Sequence, residues 1–145
     1  PAYIPSLVDI CERERIEFVH AQPDAEVEAI SGNRMKLPRT FLPPHWTVRR
    51  CQDKLATWRS WERAKVKVPR TLLISEYQDL VHAFAQLERP FWIRLRSGAA
   101  GAGSLKVDDL GEAMAWITRH KGCGQFLASE YLPGRCFTYQ TIWHN

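Results

Sequence analysis

The part of this 145-residue sequence most suited to chemistry is a run of small residues that follows two arginines. Residues 92–104 read WIRLRSGAAGAGS, and strand-like alternation places Arg94 and Arg96 on one face of the strand that leads into the run. Glycine and alanine leave the backbone accessible, so successive amides can point at phosphate oxygens. The pattern predicts a phosphate-binding loop, with a plain hairpin connection as the alternative. It is not a P-loop, because GxxxxGK(S/T) is absent, and the extended run predicted after it argues against a dinucleotide fingerprint.

Glu130 is a second candidate for a functional residue. In the alternation of its predicted strand it shares a face with Phe126, Ala128 and Leu132, where an unpaired carboxylate is costly. Either an arginine pairs with it, or it lies at the edge of a ligand cleft, where the strand offers backbone groups to a purine base.

Basic residues are concentrated in one quarter of the chain. Residues 1–33 carry a net charge of −5, residues 34–70 carry +9, and residues 71–145 are neutral overall. Such a block forms a solvated helix face, a surface for a polyanion such as a nucleic acid, or a phosphate site inside a folded domain. Fourteen of the 20 basic residues are arginine, which favours bidentate phosphate recognition.

Composition excludes several classes of protein. With 45% apolar and 25% charged residues the chain is of ordinary globular type. It has neither a run of 18 apolar residues nor a basic segment followed by an apolar one at the N-terminus, so we expect no membrane span, no signal peptide and a cytoplasmic location. The four cysteines lack the spacing of zinc ligands and are expected to be free, mostly buried thiols, and the scattered histidines predict no metal site.

Periodicity predicts an α/β rhythm in residues 1–47, followed by a second region. Turn-forming residues between Asn33 and Thr47 indicate a surface connection and a domain boundary. One long helix, Val48–Ala64, then carries an apolar stripe whose Trp58 and Trp61 are expected to pack in the core. The other predicted elements are helices over Ser6–Ile16, Pro23–Ile30, Glu76–Leu87 and Gly111–His120, and strands over Glu17–His20, Thr71–Ile74, Phe91–Arg96, Leu105–Val107, Gln125–Leu132 and Arg135–Trp143.

Four segments, taken in order, resemble the ATP-grasp superfamily. They are CQDK at 51–54, VPRT at 68–71, WIRLRSGAAGAGS at 92–104 and SEYLPG at 129–134. The resemblance covers residues 48–145. Within the superfamily, this sequence is similar to carbamoyl-phosphate synthetase large chains and related carboxylate-amine ligases. It implies an α/β and α+β fold. Residues 1–47 would be the tail of a pre-ATP-grasp α/β domain, 48–89 the first ATP-grasp subdomain, and 90–145 the second, with the C-terminal part of the fold missing.

The resemblance also implies site residues. Arg94 takes the place of a strand lysine that contacts ATP phosphates, and Arg59 matches a phosphate-contacting arginine, so both would act in catalysis by charge stabilisation. Arg96 would bind the cofactor as well. The lid over the phosphates would be Gly98, Ala99, Ala100, Gly101, Ala102, Gly103 and Ser104, and the adenine-facing hinge Glu130, Tyr131 and Leu132.

The implied activity is transfer of the γ-phosphoryl group of ATP to a small carboxylate, with Mg²⁺, to give an acyl phosphate that an amine attacks. Implied partners are that carboxylate and the remainder of a longer chain or a second copy. Two departures stand out: Arg135, Cys136 and Phe137 occupy the usual place of a ribose-binding acid, and the magnesium ligands are expected beyond Asn145. We therefore expect weak nucleotide binding at best and no turnover by the chain as given. A nucleotide-binding module without catalysis and a nucleic-acid-binding domain are the alternatives.

Overall fold

The computed structural model describes residues 2–120 and 122–138, in which four α-helices precede a region of four β-strands and two further α-helices. No helix among these residues is both long and apolar enough to cross a bilayer. The helices are α1 (Tyr3–Arg13), α2 (Asp24–Gly32), α3 (His45–Gln52), α4 (Lys54–Arg63), α5 (Tyr77–Gln86) and α6 (Leu110–Arg119), and a 3₁₀ turn covers Arg34–Lys36. The strands are β1 (Thr71–Ile74), β2 (Phe91–Leu95), β3 (Leu105–Val107) and β4 (Phe126–Ser129).

The four strands form one antiparallel sheet in the order β1-β4-β2-β3. In the centre, Trp92 of β2 lies opposite Ser129 of β4 on one side and Lys106 of β3 on the other. The alternation predicted for β2 is confirmed, because Phe91 and Ile93 have no exposed surface while Arg94, on the other face, is half-buried. The sheet therefore has one face that packs in the core and an opposite face that carries Trp92 and Arg94.

Helices α5 and α6 cover the core face. Ile74, Phe91, Ile93, Phe126 and Ala128 pack there in a single buried cluster with Leu80, Ala83, Ala113 and Ile117 of the two helices. Burying this apolar surface is the main term that holds the sheet and its two covering helices together. The rigid sheet then fixes the side chains that point from its opposite face.

The single long helix predicted over Val48–Ala64 is wrong: the structure has two helices that meet at Asp53. This residue is extended, with φ −97° and ψ 103°, and its carboxylate caps α4 by accepting the N–H groups of Leu55 at 3.0 Å and Ala56 at 3.1 Å. Periodicity did not reveal the break because apolar residues keep their helical spacing on both sides of it.

The apolar stripe of that predicted helix is only partly buried. Trp58 is half-buried, and its indole N–H donates to the carbonyl of Pro69 at 2.8 Å, whereas 53% of Trp61 is exposed, so the core role predicted for Trp61 is wrong. All four cysteines are free, as expected, but Cys11 alone of them is buried. Cys51, at the end of α3, is exposed.

The first 47 residues follow the predicted order of elements, with one strand lost. The strand predicted over Glu17–His20 is reduced to one parallel bridge, between Phe18 and Arg39. Helix α2 packs on α3, where the Ser31 hydroxyl lies 3.0 Å from Nδ1 of His45. The connection predicted over 33–47 holds the 3₁₀ turn and the start of α3.

The last predicted strands are shorter than expected. Strand β4 ends at Ser129, and none of residues 130–138 belongs to a strand. The rest of the predicted strand Arg135–Trp143 lies outside the described residues.

Candidate functional site

The sheet face opposite α5 and α6 borders a cleft beneath α4. The cleft has a volume of 240 Å³. Lys54, Trp58 and Trp61 form its helical wall, and Arg94, Leu127 and Ser129 form its sheet wall. Cations, indoles and a hydroxyl therefore meet in one small space.

Arg94 is the cation that the sheet contributes to this cleft. It lies opposite Leu127 in the register of β2 and β4. Burial lowers the pKa of its guanidinium from the ordinary value. Among the described residues no carboxylate oxygen lies within 4 Å of the guanidinium, and Arg94 donates no hydrogen bond to them. A half-buried cation without a partner is costly, so this position suits an anionic ligand.

Lys54 is the cation that α4 contributes. Burial lowers the pKa of its ammonium, and the charge of Arg94 lowers it further, while Asp24 and Asp53 act in the opposite direction. Its Nζ donates to the carbonyl of Gly98 at 2.8 Å. Lys54 thus links the Arg94 cleft to the start of the small-residue loop.

The loop over residues 97–104 is a compact turn. The Leu95 amide donates to the Gly103 carbonyl at 3.2 Å, and inside the loop the amides of Ala102 and Ser104 donate at 3.1 and 3.0 Å. The amides of residues 97–101 donate no hydrogen bond within the described part of the chain, and these residues are exposed. The tip of the loop therefore has several N–H groups available to a ligand, while its base is held.

A larger cleft of 810 Å³ lies on the other side of Lys54. Ser97, Gly98 and Ala99 of the loop line it, facing α2 and α3. Lys54 and Cys51 line both clefts, so Arg94 and the loop tip are neighbours across Lys54 and do not share one cavity. The sequence predicted that Arg94 and the loop amides converge directly on one phosphate site. In the structure, Lys54 lies between them.

Arg96 does not join Arg94. Its Nε donates to both carboxylate oxygens of Asp53, at 2.9 and 3.0 Å, and Nη2 donates to Oδ2 as well. The predicted phosphate contact of Arg96 is thus replaced by an ion pair within the protein. The sequence feature that could have indicated this ion pair is Asp53 of the CQDK segment, which is the partner of Arg96.

Arg59 lies on a different face of α4 from the cleft. Five residues of α-helix separate it from Lys54, which is about 140° of rotation. Arg59 is exposed and is not among the described residues that line the cleft. The structure therefore does not bring it to Arg94.

The predicted hinge residues lie just beyond β4. Glu130 is exposed, so its predicted place on a buried face is wrong, because the strand ends one residue earlier. Its amide donates to the Arg70 carbonyl at 2.9 Å, and its carboxylate accepts the Arg70 amide at 3.1 Å. The Tyr131 ring lies 6.4 Å from the Trp92 ring and 5.3 Å from the Lys106 ammonium, and Leu132 is exposed.

A metal site is not part of this arrangement. Within residues 2–120 and 122–138 no group of three or more His, Cys, Asp or Glu side chains could hold a metal ion. The described residues therefore form no metal site by themselves.

Comparisons with known proteins place the fold. The sequence matches no protein-family model, and it matches no curated protein either. Solved structures do match. The biotin carboxylase domain of 2-oxoglutarate carboxylase from Hydrogenobacter thermophilus, crystallised with MgADP, ADP and bicarbonate, gives a TM-score of 0.73 at 16% identity over 89% of this chain. A RimK domain ATP-grasp protein from Sphaerobacter thermophilus gives 0.68 at 18% identity over 82%.

The chain has part of the ATP-grasp fold. N5-carboxyaminoimidazole ribonucleotide synthetase from Thermus thermophilus is a further match, with a TM-score of 0.69 at 20% identity over 89% of this chain. The chain spans 31%, 33% and 47% of the biotin carboxylase, synthetase and RimK domain chains. The predicted fold class is confirmed, and particular similarity to carbamoyl-phosphate synthetase remains a prediction.

The Asp53–Arg96 ion pair predicts that the stability of the protein depends on pH. Hydrogen bonding from Arg96 lowers the pKa of Asp53 below the ordinary value near 3.9. A carboxyl with a lowered folded pKa stabilises the protein above its unfolded pKa, and the stabilisation is lost as pH falls through the folded pKa. We expect Asp53→Asn to cost about 1 kcal/mol at pH 7, after discounting for the exposure of Arg96, and progressively less as the pH falls below the ordinary carboxyl pKa.

Urea denaturation of the wild-type protein and Asp53→Asn across this pH range measures the difference. A cost that stays constant from neutral to acid pH would contradict a charged Asp53 as its source.

Proposed function

We propose that this chain supplies the phosphate-binding part of an ATP-dependent ligase. The observation that carries the proposal is the pair of half-buried cations, Arg94 and Lys54, which have no carboxylate within 4 Å among the described residues and adjoin a loop with free amides. A triphosphate supplies the negative charge that this arrangement lacks. The segment of ATP-grasp fold in which these residues lie supports the same reading.

Arg94 is proposed to bind the phosphates from the sheet and Lys54 from the helix. The amides of residues 97–101 would cover the phosphates as a lid, which requires the Lys54 ammonium to exchange the Gly98 carbonyl for a phosphate oxygen. Arg59 is left out of the proposed site because it lies on another face of α4, and Arg96 because its donors are used by Asp53.

The base is proposed to lie along the open sheet face near Tyr131. Because the Glu130 amide is already used by Arg70, the backbone groups offered to adenine would be those of Tyr131 and Leu132. The Trp92 and Tyr131 rings give that end of the face an aromatic surface. The proposed adenine-facing hinge therefore consists of Tyr131 and Leu132, without Glu130.

The proposed reaction begins with attack of a carboxylate oxygen on the γ-phosphorus of ATP, which releases ADP and forms an acyl phosphate. An amine then attacks the acyl carbon and inorganic phosphate leaves, so an amide bond forms at the expense of one phosphoanhydride. The contribution of Arg94 and Lys54 would be to position the triphosphate and offset the charge on its oxygens. The described residues form no metal site by themselves, and these two roles do not depend on one.

Alkylation of Cys51 tests the proposal within the chain itself. Cys51 is exposed and lines both clefts, so ATP at about 1 mM is expected to slow its reaction with iodoacetamide about fivefold or more. Cys123 is half-buried beside the core cluster and lines neither cleft, so its slower rate should not change. Mass spectrometry reads both cysteines in one sample.

Equal rates at Cys51 with and without ATP would contradict the proposal. Protection by an oligonucleotide that fades steeply with salt, without protection by ATP, would instead favour a nucleic-acid-binding surface. Protection by ATP in a full-length protein that forms no ADP would favour a nucleotide-binding module without catalysis.

A further inference from the structure

The Asp53–Arg96 ion pair joins two segments that the chain separates by 43 residues. Asp53 is the N-terminal cap of α4, whose first residue is Lys54, and Arg96 follows β2 directly and leads into the loop. The bond is bidentate, because Nε of the arginine reaches both carboxylate oxygens. A bidentate pair fixes orientation as well as distance.

Three further hydrogen bonds run alongside this ion pair. The Lys54 amide donates to the Arg96 carbonyl at 3.0 Å, and the Lys54 ammonium donates to the Gly98 carbonyl at 2.8 Å. The Arg96 amide donates to the Gln125 carbonyl at 2.7 Å, which ties the junction to the segment before β4. The lysine and the start of the loop are thus held by one connected set of contacts.

Capping alone does not explain the arginine. Asp109 caps α6 in the same way, accepting the Glu112 amide at 2.8 Å, and within the described residues it forms no salt bridge. A helix start in this protein is therefore complete without an ion pair. At Asp53 the carboxylate does a second task, which is to hold Arg96.

We propose that Asp53 and Arg96 are positioning residues that hold Lys54 and the start of the loop in register for a phosphate ligand. The part of this inference that concerns the ligand rests on the proposed function. Neither residue touches the ligand. Their effect passes through the Lys54 backbone and through the base of the loop.

Asp53→Asn separates the two tasks of the carboxylate. Its amide oxygen still caps α4, while the charge that holds Arg96 is gone. Asp109→Asn is the matched control, because it makes the same change at a cap that follows the other end of β3 from the loop. Arg96→Gln removes the other partner, and Arg96→Lys keeps the charge without the fork.

Two measurements are made on each variant: amide hydrogen exchange at Lys54, Arg96 and Ser104, whose amides are all hydrogen-bonded, and ATP affinity by calorimetry. We expect Asp53→Asn and Arg96→Gln to speed exchange at these amides and to weaken ATP binding, each by about tenfold. Arg96→Lys should show a smaller effect, and Asp109→Asn none at these amides or on ATP.

Unchanged exchange in Asp53→Asn overturns the inference whatever happens to ATP binding. Faster exchange with wild-type ATP affinity also overturns it, because the pair would then hold the loop without serving the ligand. If the wild-type protein does not bind ATP at all, the proposed function fails, and the exchange result still decides whether the pair holds the loop.

Discussion

Replacing Arg94 with glutamine is expected to weaken ATP binding about 10- to 150-fold, while the free protein becomes no less stable. The loss corresponds to one or more charge-assisted hydrogen bonds, each about 1.5–3 kcal/mol, in a half-buried site. Stability should hold or rise, because the variant removes a desolvated cation that also disfavours the charge of Lys54. Calorimetry gives the affinity and thermal denaturation gives the stability.

The opposite signs of these two effects separate a ligand-binding arginine from a structural one. Arg119→Gln is the control, since Arg119 is exposed in the last turn of α6, on the helix-covered side of the sheet, and its loss should leave ATP affinity unchanged. A fall in melting temperature with unchanged affinity would identify Arg94 as structural and remove the basis of the proposed site.

Sequence patterns predicted the structure best where neighbouring residues alone determine it. The period of two in β2 predicted that Arg94 faces away from Phe91 and Ile93, and the sheet confirms it, because burial of alternate residues is enforced by the core beneath them. The small residues of the loop likewise predicted the accessible amides of residues 97–101.

The same patterns failed where a distant residue decides the outcome. Arg96 continues the alternation of Arg94, but the strand ends at Leu95 and Asp53 draws the guanidinium aside. That carboxylate also interrupts the helix, and no local periodicity reports a partner 43 residues away. The prediction that Glu130 lies on a buried strand face was wrong for a similar reason. Strand β4 ends at Ser129, and Glu130 then pairs with the backbone of Arg70.

The base of the loop predicts a second large effect, on stability. Gly103→Ala is expected to lower the free energy of unfolding by about 3 kcal/mol, or the melting temperature by about 10 °C. Gly103 is buried at φ +71°, and a Cβ there would lie 2.3 Å from Cδ1 and 2.5 Å from Cγ of Leu95. Leu95 packs against the core cluster, so the added methyl group has to displace a side chain that is already confined.

Gly101→Ala measures the backbone part of that cost alone. Gly101 has almost the same φ, +72°, but no atom lies within 4 Å of a Cβ built on it, so we expect a loss of about 1 kcal/mol. Adding Leu95→Ala to Gly103→Ala should make the two losses less than additive, because the smaller residue leaves room for the new methyl group. Equal losses in the two glycine variants, measured by urea denaturation, would contradict a close-packed base. A larger loss in Gly103→Ala would mean that the loop is anchored at Gly103 and open at Gly101. A lid over phosphates needs this combination, because its tip has to move while its base stays on the sheet.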